Sequence, residues 1–121
     1  MTPQPKSPPL NVLVACLCAQ WCRTCDDYRP LFEALQATFP EAQFQWIDIE
    51  DEADLVDPVE VDNFPTVLIA SGGQVQFFGV VTPHIDTLKR LIQAHTVPSR
   101  AAAQPAEVTA LLSRLRGRLP V

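Results

Sequence analysis

Apolar positions along the chain alternate between short continuous runs and helical spacing, and this pattern predicts an α/β fold. Runs at residues 12–17 and 44–49 are typical of buried strands. Between them, apolar residues at helical spacing predict a helix from about Cys22 to Phe39, ending before Pro40. Its buried stripe comprises Tyr28, Leu31, Phe32, Leu35 and Phe39. The three elements together predict a right-handed βαβ unit.

The second half of the chain predicts a hairpin and two further amphipathic helices. A short acidic helix is expected at 51–57, followed by strands at 66–70 and 75–78 around two glycines. Thr82 is a candidate N-cap, with Pro83 at the first helical position. The stripe of that helix comprises Ile85, Leu88, Leu91 and Ile92. A last helix is predicted at 105–117, and its apolar side comprises Val108, Leu111, Leu112 and Leu115.

The length and charge of the chain indicate a single domain and disfavour several classes of binding partner. A chain of 121 residues with 47% apolar residues is expected to form one domain with a core of its own. The net charge of −5 disfavours binding to nucleic acid or to anionic lipid. No apolar stretch reaches the roughly 18 residues of a membrane span. We therefore expect a monomer that acts on thiol or disulfide proteins and not on a membrane or a nucleic acid.

Four cysteines lie within ten residues, at positions 16, 18, 22 and 25. Cys22 and Cys25 have Cys-x-x-Cys spacing at a predicted strand-to-helix junction, which is the layout of a dithiol redox site. The helix start favours a thiolate, so we expect the pKa of Cys22 to lie below the free value of about 8.5. Cys22 is the predicted nucleophile. Cys25, one turn further and more buried, is expected to close a disulfide with it.

Several motifs beyond this pair carry a resemblance to a known family. They are Trp21-Cys22-Arg23-Thr24-Cys25, Pro30, Phe64-Pro65-Thr66 and Ser71-Gly72-Gly73. Together they resemble the thioredoxin superfamily over about residues 11–94. The resemblance implies a thiol–disulfide oxidoreductase that needs no cofactor, acts on a protein disulfide or dithiol, and is recycled by a reductase. It implies that Pro65 is cis, that Phe64 and Pro65 hold the substrate peptide, and that Trp21 shields the sulfur pair. Arg23 and Thr24 occupy the positions that tune the reduction potential.

The chain departs from the family at both ends. Full-length thioredoxins have a strand and a helix before the active-site strand, where this chain has about ten residues. We therefore expect a trimmed thioredoxin fold, a mixed four-stranded sheet flanked by helices, with the extra C-terminal helix covering the bare sheet face. The alternative is a docking or dimer-forming helix whose Arg114, Arg116 and Arg118 face acidic partners. The expected organisation is a disordered proline-rich tail at 1–10, a thioredoxin-like domain at 11–95, and a linker with the packed helix at 96–121.

Cys16 and Cys18 lie two apart on a predicted strand and so point to the same face. By resemblance, Cys16 replaces a buried aspartate that serves the resolving thiol, and Trp46 replaces its lysine partner. Buried Cys16, with a raised pKa, could then tune the site only as a neutral group. Three interpretations stay open: two small core residues, an auxiliary thiol that exchanges with Cys25, or a four-cysteine zinc site with spacing unlike the usual patterns. We expect no metal, and a non-catalytic binding module remains the alternative function.

Cysteine usage and the N-terminal segment bear on the compartment. Residues 13–16 resemble a lipoprotein cleavage site, but the apolar run from Leu10 is shorter than a signal core and follows four prolines. Clustered cysteines in one short segment are more typical of redox or metal chemistry in a reducing compartment than of a secreted disulfide scaffold. We therefore expect a cytoplasmic protein.

Overall fold

The structure, a computed structural model, describes residues 12–95 and 105–117. Its elements follow the predicted order. The strands are β1 (Leu13–Cys18), β2 (Gln43–Asp48), β3 (Thr66–Ser71) and β4 (Gln74–Val80). The helices are α1 (Arg23–Leu35), which continues into a 3₁₀ turn at Gln36–Thr38, α2 (Ala53–Val56), α3 (Ile85–His95) and α4 (Ala106–Gly117). None of these described helices has both the length and the apolar character needed to cross a membrane.

The strands form one mixed sheet in the order β2-β1-β3-β4. β1 pairs parallel with β2, as the predicted βαβ unit requires, and antiparallel with β3. β3 and β4 form the predicted hairpin, and its turn uses Gly72 and Gly73 at φ of 63° and 84°, where a side chain would be strained. The expected α/β class with a mixed four-stranded sheet is confirmed.

The two faces of the sheet have separate cores. Alternate residues of β1 point to opposite sides, because side chains alternate along a strand. Val14, Cys16 and Cys18 lie in the core beneath α1 and α3, whereas Leu13, Ala15 and Leu17 lie in the core beneath α2 and α4. The strand is therefore apolar throughout, with all six residues buried.

Helix α4 packs on the sheet face opposite α1. Its buried residues Val108, Leu111, Leu112 and Leu115 belong to the same core as Leu13, Leu17 and Ile47. Arg114 donates from Nε to the carbonyl oxygen of Leu55 at 2.7 Å and from Nη2 to that of Asp57 at 2.8 Å. Arg114 thus binds within the chain, unlike the solvent-facing role considered for it, while Arg116 is exposed.

Other details differ from the sequence prediction. Helix α3 begins at Ile85, two residues after the predicted start at Pro83, and the hydroxyl of Thr82 donates to the hydroxyl of Thr87 at 3.0 Å. The acidic helix is shortened to Ala53–Val56. The predicted tail at 1–10, most of the linker, and Arg118 lie outside the described residues.

Candidate functional site

Cys22 lies at the start of α1, at the carboxyl end of the central strand β1. It is the N-cap residue, with extended backbone angles of φ −90° and ψ 120°. Its N–H donates to the carbonyl oxygen of Ala19 at 3.0 Å, and its own carbonyl accepts from Asp26 at 3.1 Å. The side chain is half-buried beside the first-turn N–H groups, which have no intrahelical acceptor. The predicted placement of this cysteine at a strand-to-helix junction is confirmed.

Cys25 is bonded to Cys18, not to Cys22. The Cα atoms of the bridged residues are 5.9 Å apart, and both residues are at least 98% buried. Cys22 and Cys16 are free thiols. The expected Cys22–Cys25 disulfide is therefore wrong for this structure. The reason is that Cys25 faces inward from α1 into the core that also receives Cys18, the last residue of β1.

Cys16 is fully buried next to Trp46 on the neighbouring strand, its partner in the parallel register. Burial raises the pKa of the Cys16 thiol far above its ordinary value, as expected from the sequence. Burial and the proximity of Cys16 also raise the pKa of Tyr28. The Tyr28 hydroxyl is buried and has no hydrogen-bond partner among the described residues. Cys16 is thus a neutral thiol, and its position offers no ionisable base to the site.

Trp21 and Phe64 form an aromatic rim beside the free thiol. Trp21 is 66% exposed, and its Nε1 donates to Oε2 of Glu50 at 2.8 Å. Its ring meets the Phe64 ring edge-on, with centroids 5.5 Å apart. The Phe64–Pro65 peptide bond is cis, and the Pro65 carbonyl accepts from the N–H of Val81 at 3.0 Å. The sequence pattern does not predict this contact between Trp21 and Glu50, which are 29 positions apart.

The remaining predicted site residues flank Cys22. Arg23 is exposed and Thr24 is half-buried, so both positions between the cysteines lie at the helix start beside the free thiol. Arg23 is therefore a cation next to the free thiol, while Thr24 contributes no charge.

A cavity of about 310 Å³ reaches Cys25 from the side of β2. Its polar lining is mainly acidic and includes Asp26, Asp48 and Asp51. Arg29 supplies a cation: its guanidinium carbon lies 5.3 Å from the centre of the Trp46 ring, and its Nε contacts Glu33 at 3.0 Å. Cys25 is part of the lining of this cavity, and Trp21, Phe64 and Pro65 are not.

The zinc interpretation finds no support in this geometry. All four cysteines are described, and no group of three or more histidine, cysteine, aspartate or glutamate side chains in residues 12–95 and 105–117 is arranged to hold a metal. Two of the four sulfurs are bonded to each other and so are not available as thiolate ligands. The auxiliary-thiol interpretation instead fits Cys18, and the core-residue interpretation fits Cys16.

Comparisons with known proteins agree with this architecture. The Thioredoxin family model matches residues 7–94. Thioredoxin-1 of Saccharomyces cerevisiae is 29% identical over 77 residues, which are 64% of this chain and 74% of the yeast protein. Thioredoxin H2-2 of Oryza sativa is 29% identical over 87 residues, 72% of this chain and 64% of the rice protein.

Solved structures show the same likeness. A Nicotiana alata thioredoxin superimposes with a TM-score of 0.63 at 29% identity, covering 74% of this chain and 77% of its own. A Fasciola hepatica thioredoxin gives a TM-score of 0.65 at 24% identity, covering 73% and 84%, and supports the fold alone. With a family model matched over most of its length and a cysteine pair at the start of α1, the chain belongs to the thioredoxin family.

Proposed function

We propose that this protein is a thiol–disulfide oxidoreductase that acts on a protein disulfide through Cys22. The observation that carries the proposal is a free, half-buried thiol at a helix N-terminus. It lies one helical turn before Cys25, which belongs to a buried disulfide. The nucleophile in thiol–disulfide exchange is the thiolate, and the sulfur of Cys22 lies at a helix start whose first N–H groups have no intrahelical acceptor. Redox chemistry at the site then needs no cofactor.

The reaction starts from the form in which Cys25 is reduced. The Cys22 thiolate attacks one sulfur of the substrate disulfide, and the other substrate sulfur leaves as a thiolate that takes up a proton. The Cys25 thiolate then attacks Cys22 Sγ, forming a protein disulfide and releasing the second substrate thiolate. A reductase that returns two electrons completes the cycle.

The aromatic rim is proposed as the substrate contact. Phe64 lies outside the strands, and its backbone forms no hydrogen bond to another described residue, so it is free to pair with an extended peptide. Trp21 would cover the mixed disulfide, held in place by Glu50. Four cysteines clustered in one short segment are more typical of redox chemistry in a reducing compartment than of a secreted disulfide scaffold, and we propose the cytoplasm on this ground.

Serine variants of the two cysteines test the roles. Cys25→Ser is expected to trap a mixed disulfide with insulin whose disulfides are intact, or with another protein disulfide, because the bond at Cys22 then has no resolving thiol. Cys22→Ser is the matched control and should trap none. Non-reducing electrophoresis and mass spectrometry identify the linked cysteine. Equal trapping by both variants contradicts the assignment, and absence of insulin reduction by the native protein favours the binding-module alternative.

A further inference from the structure

We infer that Cys18 is a third redox cysteine, which takes over the disulfide from Cys22 after each turnover. This inference rests on the proposed function of Cys22 and Cys25. The observation behind it is the bridge itself: the oxidised site holds its disulfide between Cys18 and Cys25, and the outer cysteine remains a thiol.

Cys22 lies nearest the surface, and Cys25 and Cys18 are buried. Cys22 lies one helical turn before Cys25, and residues three apart on a helix are neighbours on one face. The side chain of Cys25 leans toward the helix N-terminus and therefore toward Cys22. Cys18 is bonded to Cys25 from the core side, at the end of β1. Cys25 thus has an exchange partner on its solvent side and another on its core side.

The transfer is an ordinary thiol–disulfide exchange and needs no outside oxidant. Resolution of the substrate leaves a Cys22–Cys25 disulfide and a Cys18 thiol. Cys18 Sγ attacks Cys25 Sγ, so the Cys18–Cys25 bond forms and the Cys22–Cys25 bond breaks. The proton lost by Cys18 is balanced by the proton that the departing Cys22 sulfur takes up. One disulfide and one thiol are present before and after the step.

Burial explains why the inner pair holds the disulfide. Cys18 is 1% exposed and Cys25 is 2% exposed, and their core is lined by apolar residues such as Val14 and Phe32. A disulfide carries no charge and no hydrogen atom to donate, so it suits such a core, whereas a buried thiolate is heavily penalised. Cys22 is half-buried and keeps contact with water. The oxidised form with the disulfide inside and the free sulfur on Cys22 is therefore the favoured isomer.

This transfer of the disulfide from Cys22 to Cys18, here called the relay, leaves the oxidised protein with a nucleophile. In a two-cysteine site, oxidation consumes both thiols. Here, Cys22 stays free to form a second mixed disulfide, and Cys25 cannot resolve it until the inner bridge is reduced. The oxidised protein should therefore hold a disulfide partner as a mixed disulfide at Cys22, and the reduced protein should release it.

A time course with glutathione disulfide tests the relay. The reduced protein is mixed with one equivalent, samples are acid-quenched and alkylated, and disulfides are mapped by mass spectrometry. We expect Cys22 bound to glutathione first, then Cys22–Cys25, then Cys18–Cys25 as the end product with Cys22 alkylated. If the native protein ends at Cys22–Cys25, the relay is wrong. If no adduct or disulfide at Cys22 forms at any time, the proposed function is wrong as well.

Two variants separate the relay from the basic reaction. The oxidised form of Cys18→Ala should be Cys22–Cys25, with complete loss of iodoacetamide labelling at Cys22. Cys16→Ala removes a second buried thiol from the same strand face and should keep the Cys18–Cys25 bridge and the labelling at Cys22. Labelling of Cys22 in oxidised Cys18→Ala would contradict the relay. If Cys18→Ala does not fold, the native time course decides alone.

Discussion

Replacing Tyr28 with phenylalanine should stabilise the protein. The Tyr28 side chain is 1% exposed, and its hydroxyl lacks a hydrogen-bond partner among the described residues. A buried polar group without a partner costs about 1–3 kcal/mol. Phenylalanine keeps the ring and its contacts in the core beneath α1. We therefore expect Tyr28→Phe to raise the free energy of unfolding by about 1 kcal/mol at neutral pH.

The same substitution should change how stability depends on pH. Burial raises the pKa of Tyr28 above its ordinary value of 10.0, so the unfolded chain loses the phenolic proton before the folded chain does. Ionisation of Tyr28 therefore leaves the free energy of unfolding of the native protein unchanged below pH 10 and lowers it as the pH rises above 10. The native protein should then lose up to about 1.4 kcal/mol per pH unit relative to the variant. Burial also raises the pKa of Cys16; that effect is present in both proteins and cancels in the difference, whereas the proximity of Cys16 to Tyr28 contributes in the native protein alone.

Urea unfolding followed by circular dichroism measures both effects, at pH 7 and at steps between pH 9 and 11. Both proteins should be compared fully reduced, so that the disulfide does not contribute. The reasoning is refuted if Tyr28→Phe is less stable than the native protein at pH 7. It is refuted equally if the stability difference between the two proteins stays constant above pH 10.

Three further outcomes test the helix α4 and the core thiol. Leu111→Ala should lower the free energy of unfolding by about 2–5 kcal/mol, because Leu111 is fully buried against the sheet; a loss below 1 kcal/mol in urea unfolding would contradict its packing. Arg114→Ala should cost about 1–3 kcal/mol through two lost charge-assisted hydrogen bonds, whereas the exposed Arg116→Ala should change the urea midpoint little. Cys16→Asp should restore a buried acid and speed insulin reduction, with a lower melting temperature; an unchanged rate would show that resolution does not need a base.

Periodicity predicted most of the fold because it reports which side of an element is buried. The apolar runs identified β1 and β2, and the spacing of Val108, Leu111, Leu112 and Leu115 identified the buried side of α4. This apolar side predicts that α4 covers a sheet face, and the structure places it on the face opposite α1. The start of α3 was misplaced because Thr82 and Pro83 carry the signals of a helix start, yet the chain turns for two more residues before Ile85.

The cysteine pairing could not be predicted from the same signals. Alternation along β1 correctly placed Cys16 and Cys18 on the same face, but it gives no distance between the end of a strand and the first turn of a helix. That distance depends on the short turn after Cys18, closed by the hydrogen bond from Cys22 to Ala19. The contact of Glu50 with Trp21 was missed for a related reason: the two residues are 29 positions apart, and each is exposed.

Strand β1 supplies two sulfur atoms to the core, and both affect the lifetime of a mixed disulfide at Cys22. Cys16 is easily buried because a neutral thiol is nearly apolar, but it offers no base to accept the proton of Cys25. Cys18 withdraws Cys25 from resolution whenever the inner bridge is formed. Both features act in the same direction, toward slower release of whatever is bound at Cys22. A site built this way is better suited to holding a dedicated partner until electrons arrive than to rapid reduction of many disulfides.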